Sequence, residues 1–225
     1  MRILALYAAT NQHGNDAKGA FVPESSGFAK ARKAHGDVVE RVAFANGEAL
    51  ASKRRASVLA SIANATPFEG LAYFGHGLRS GLPSAGFTMQ TIDALADAID
   101  EHATKGAELR IVLYACSAAG APGRDRDRLD GDGGFADVLR DKLAELGRVG
   151  WIDAHTVAGH ATINRYARRF RMDGKGAGVG GAWLVEPGSP DWPAWGARLK
   201  SDPDFRFGFP FLSEAEILAT LRAKP

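Results

Sequence analysis

Short, mostly apolar runs of strand length alternate along this chain with segments whose apolar residues recur at helical spacing. The runs are RILALYAA (2–9), DVVERVAF (37–44), GLAYFG (70–75), LRIVLYA (109–115), VGWIDAHTVA (149–158) and GGAWLVEPG (180–188). Several are apolar at successive positions, as expected of strands covered on both faces. Between them, FAKARKAHG (28–36) reads as a short helix. NGEALASKRRASVLASIANA (46–65) sets Leu50, Val58, Leu59 and Ile62 at helix-compatible spacing. TMQTIDALADAIDEHATKG (88–106) puts Ile92, Leu95, Ala96 and Ile99 on one stripe, with Gly106 as its stop. GGFADVLRDKLAELG (133–147) is a further helix, and in the C-terminal helix Ser213 and Glu216 form a capping box. Strand and helix in alternation predict a three-layer α/β fold with a mainly parallel six-stranded sheet flanked by helices. The chain reads as one domain over 1–225, with 187–225 an extension packed on its core.

Composition narrows the function. The 28 basic residues nearly balance 26 acidic ones, so no nucleic-acid partner is expected. Cys116 is the only cysteine, which excludes an internal disulfide and any need for an oxidising compartment. The apolar start MRILALYAATNQ is too short for a signal peptide, and no run approaches bilayer-spanning length. The expected location is the cytoplasm, without membrane association; the oligomeric state is left open.

Two predicted strands end abruptly in a polar residue within a glycine-containing loop: GLAYFGHG at His76 and LRIVLYACSAAG at Cys116. In mainly parallel sheets, ligands bind at the carboxyl ends of strands. If the two strands are neighbours, an imidazole and a thiol share one crevice. A thiolate is a strong nucleophile, and a nearby imidazole can take its proton. Attack on an acyl carbon creates an oxyanion, for which the backbone N–H groups of Gly77 and Cys116 are the natural donors.

This pairing of a strand ending in GHG with a later one ending in YAC resembles the caspase-like cysteine peptidases: caspases, metacaspases, clostripain, gingipains and toxin self-processing domains. The resemblance covers roughly residues 1 to 160 and implies a caspase-like fold. It also implies His76 as general base and acid, Cys116 as nucleophile and Gly77 as an oxyanion donor. YACSAAG departs from the Q-A-C-[RQG]-G of animal caspases, so the chain is more similar to the bacterial branches. The resemblance further implies a protein or peptide substrate, self-processing as one option, and a groove walled by the loops after the first and fifth strands. These loops offer Asn11, His13 and Asp16 on one side and His160, Asn164 and Arg165 on the other. Bacterial relatives commonly cleave after basic residues. With Asp16 in the first loop, cleavage after Arg or Lys is the expectation. The alternative is a catalytically inactive interaction or structural module of the same fold; a thioesterase or amidase ranks third.

The remaining motifs suggest no cofactor. GRDRDRLDGDGG (123–134) lacks the spacing and terminal Glu of an EF-hand and reads as a solvated loop. His155 and His160 have no third ligand at zinc spacing. Arg165, Arg168, Arg169 and Arg171 read as a solvated basic face in preference to a polyanion site. GKGAGVGG (174–181) lacks the Walker pattern and reads as a turn. Trp192 and Trp195 read chiefly as anchors for the C-terminal extension.

Overall fold

The computed structural model describes residues 1–10, 20–121, 131–157, 164–173, 180–202 and 204–222. It is an α/β structure built on a mostly parallel seven-stranded sheet flanked by helices. The strands are β1 (Arg2–Ala8), β2 (Val38–Phe44), β3 (Gly70–Phe74), β4 (Gly81–Leu82), β5 (Phe87–Thr88), β6 (Leu109–Tyr114), β7 (Gly150–His155), β8 (Ala167–Arg171) and β9 (Ala182–Trp183). The helices are α1 (Phe21–Ala34), α2 (Ala51–Ala63), α3 (Ile92–His102), α4 (Phe135–Glu145), α5 (Trp192–Ser201), α6 (Phe205–Gly208) and α7 (Glu214–Arg222).

The main sheet has the order β2-β1-β3-β6-β7-β8-β9. Its first five strands run parallel; β8 pairs antiparallel with β7, and β9 antiparallel with β8. All six expected runs contain a strand, although the last shortens to Ala182–Trp183. The seventh strand, β8, lies in ARRFR, where the sequence predicts a polar loop. Its arginines hide a strand pattern because two of them are buried, Arg169 against Asp153 and Arg168 against the Gly181 carbonyl.

Helix α3 buries the stripe Ile92, Leu95, Ala96 and Ile99, as its spacing predicts. Helix α2 buries Val58 and Ile62, but Leu50 precedes the helix and is 60% exposed. Helix α1 begins seven residues before the expected Phe28. Pro23 misleads there: in the first turn its missing N–H costs nothing. Ser25 is buried and bonds back to the Val22 carbonyl at 3.0 Å.

The layers divide cleanly. Helices α2, α3 and α4 cover one face, where Leu71, Tyr73, Ile111 and Leu113 meet Val58, Leu95, Ile99 and Leu139. Helices α1 and α6 cover the other, where Phe28 and Phe207 pack edge-on to a stacked Phe74–Tyr114 pair whose rings are 4.8 Å apart. The C-terminal segment joins this face through Phe207 and Phe211. Between β3 and α3 the chain inserts a β4–β5 hairpin, with a 3₁₀ turn at Pro83–Ala85.

No helix among the described residues is long and apolar enough to cross a membrane.

Candidate active site

Strands β3 and β6 are hydrogen-bonded neighbours, parallel and in a register that pairs Phe74 with Tyr114. Two residues beyond this pair come His76 on one strand's exit and Cys116 on the other's. Both are partly buried. The two exits touch: a Cβ placed on Gly77 would lie 2.6 Å from the Ala115 Cβ and 2.8 Å from the Cys116 carbonyl oxygen. Only glycine permits this approach at 77. The His76 ring packs edge-to-face on Phe21, with centroids 5.0 Å apart, which places it on the α1 face of the sheet.

Each exit is anchored. After Cys116 the chain turns through Ser117, whose φ of +55° is the one positive value on a non-glycine residue among those described. The turn is held to β7 by Ala119 N–H donating to the His155 carbonyl at 3.0 Å and Ser117 N–H donating to Val157 at 3.4 Å. It is held to α4 by Ala136 N–H donating to the Ala118 carbonyl at 3.1 Å. On the other exit, His76 N–H donates to Ser84 Oγ at 2.9 Å, and the Tyr73 hydroxyl donates to the His76 carbonyl at 3.3 Å. The backbone N–H groups of Gly77 and Cys116 are not committed to any acceptor among the described residues.

His155, at the end of β7, completes the row Phe74, Tyr114, His155 across three strands, with its ring 6.3 Å from that of Tyr114. Burial pushes its imidazole down to about 4 and so favours the neutral form. Its Nδ1 is sealed from solvent without a partner among the described residues.

Of the expected groove residues, Asn11, His13, Asp16 and His160 lie outside the described residues. Asn164 donates to the Val157 carbonyl at 3.2 Å and accepts from Tyr166 N–H at 3.1 Å, so it ties its loop to the strand end beside the Cys116 turn. Arg165 lies over the rings of Trp192 at 4.5 Å and Tyr166 at 5.7 Å. Its carbonyl accepts from Trp195 Nε1 at 2.9 Å. The structure thus joins Asn164 to the site's edge and turns Arg165 towards α5.

The basic cluster is a solvated face only in part, with the Arg171 side chain 46% exposed. Arg168 and Arg169 are buried, and Arg169 makes a two-pronged pair with Asp153, both contacts at 2.8 Å. No group of three or more His, Cys, Asp or Glu side chains among the described residues is placed to hold a metal ion. The sequence reading missed Ser84, Tyr73 and Phe21. Ser84 sits in a hairpin without any periodic signal, and Tyr73 reads simply as strand.

In comparisons with known proteins, no protein-family model matches the chain and no curated protein matches it.

Proposed function

We propose that this protein is a cysteine peptidase of the caspase-like type, acting on a protein or peptide through His76 and Cys116. One observation carries the reading: adjacent parallel strands, paired Phe74 to Tyr114, deliver the His-Gly and Ala-Cys exits into contact. His76 takes the Cys116 proton, and the thiolate attacks the scissile carbonyl carbon. The resulting oxyanion is received by Gly77 N–H and Cys116 N–H. His76 returns the proton to the leaving amine. Water, deprotonated by the same imidazole, then hydrolyses the thioester and frees the thiol. The αL backbone at Ser117 turns the chain immediately after the nucleophile and supports its presentation at a loop tip.

Cleavage after Arg or Lys is the preference proposed, with Asp16 pairing the substrate cation. Asn164 stands at the groove's rim. The chain itself carries the chemistry, and the cytoplasm is the proposed setting.

Fluorogenic peptides differing only at the residue before the scissile bond test both parts. Hydrolysis by the wild type, lost in Cys116→Ala and in His76→Ala, is the expected result. Preference for Asp or an uncharged residue overturns the specificity. No cleavage of any peptide, together with a Cys116 that alkylates only on unfolding, overturns the peptidase and favours a non-catalytic module.

A further inference from the structure

His76 stands between two glycines, in FGHG, on a loop with little intrinsic stiffness. A general base on such a loop needs an external restraint, because catalytic proton transfer depends on angstrom-scale placement. The structure supplies one from the opposite face of the sheet. Ser84 Oγ accepts His76 N–H at 2.9 Å. The Tyr73 hydroxyl donates to the His76 carbonyl at 3.3 Å. The two hydroxyls together form a clamp that holds both backbone polar groups of His76 at once.

The surroundings fit this clamp. Tyr73 and Ser84 are buried, so water does not compete for the bonds. A Cβ on Gly75 would run into the Tyr73 hydroxyl, so glycine at 75 leaves room for the clamp. Ser84 lies in the Pro83–Ala85 turn, whose proline restricts the backbone that carries it.

We propose that Ser84 and Tyr73 are positioning residues for His76, and that the β4–β5 hairpin exists in part to hold the base against Cys116. The inference rests on the peptidase reading of His76 and Cys116. Neither residue touches substrate; both act through the His76 backbone.

Iodoacetamide alkylation of Cys116, followed across pH, tests this without a known substrate, and the lone cysteine makes labelling unambiguous. In the wild type alkylation should be rapid at neutral pH, as for a thiol activated by a neighbouring base. His76→Ala should slow it and alter its pH profile. Tyr73→Phe and Ser84→Ala should each alter the profile in the same direction and slow alkylation at neutral pH by about tenfold. Ser84→Thr, which keeps the hydroxyl, should restore the wild-type profile. Trp151→Phe, which loses a bond to the Pro210 carbonyl away from these loops, serves as a control for general loosening and should leave the profile unchanged. Thermal unfolding confirms that each variant is folded, and Tyr73→Phe stands in if Ser84→Ala does not fold. A normal profile in folded Tyr73→Phe and Ser84→Ala, with His76→Ala still shifted, overturns the clamp alone. An unshifted His76→Ala overturns the dyad and the clamp together.

Discussion

The behaviour of single residues at this site follows from how little space they have. Gly77→Ala would set a methyl group 2.6 Å from the Ala115 Cβ, so the two strand exits must part. The expected outcome is a folded protein that has lost peptidase activity by about a hundredfold or more, read from peptide hydrolysis beside a thermal melt. His155 makes a pH-dependent contribution. Its folded pKa of about 4 lies below the ordinary histidine value of 6.5. Below pH 6.5 the unfolded chain binds a proton that the folded chain refuses, so this contribution is present above 6.5 and is lost as pH falls towards 4. The loss reaches up to about 3 kcal/mol. Urea unfolding of the wild type and His155→Gln at pH 7 and pH 4.5 isolates it: the wild type should lose more stability over that interval than the variant. Equal losses would show that the imidazole is not held neutral.

At the scale of elements, β8 shows how a charged sequence becomes core. Arg169 and Asp153 are both about 1% exposed, joined across the β7–β8 ladder, with the guanidinium 4.2 Å over the Trp151 ring and donating to the Leu212 carbonyl. Burial pushes the Asp153 carboxyl up to about 6 even though Arg169 pulls it down. Arg169→Met strands that carboxylate and should cost about 3–5 kcal/mol. Asp153→Leu combined with Arg169→Met removes both charges and should recover most of the loss. Denaturant midpoints of the two variants decide it, and a double variant no more stable than the single would refute the pairing argument.

Across the whole molecule, the C-terminal segment is bound into the sheet at several levels. Tyr114 donates to the Arg206 carbonyl at 2.7 Å, Trp151 to the Pro210 carbonyl at 2.8 Å, and Arg110 to the Phe211 carbonyl at 2.5 Å. A second apolar cluster of Trp195, Leu199, Phe205, Phe209 and Ile217 packs with Ala167 of β8. Phe207 and Phe211, from the same segment, belong to the main core. Interleaved in this way, the segment should unfold with the sheet. Trp195→Ala should cost about 3–5 kcal/mol and shift one common transition seen by circular dichroism and by fluorescence. A separate early transition would show the segment to be independent.

Whatever depends on neighbours along the chain can be read from the residues alone. Apolar runs such as RILALYA and LRIVLY, and the stripe of α3, announce their elements because periodicity is local. The His-Gly and Ala-Cys endings were legible as the polar ends of two such runs. Pairing depends on partners remote in sequence, and the folded chain alone establishes it. It set β3 beside β6 in the register that brings Gly77 against Cys116, although 39 positions separate these residues. It also neutralised Arg169 with Asp153 and so turned a basic loop into strand β8. Finally, it set Tyr73 and Ser84 on the His76 backbone by folding back a hairpin whose residues carry no repeating pattern. A hydroxyl's role is set by what lies within hydrogen-bond reach, and that distance exists only once the chain has folded.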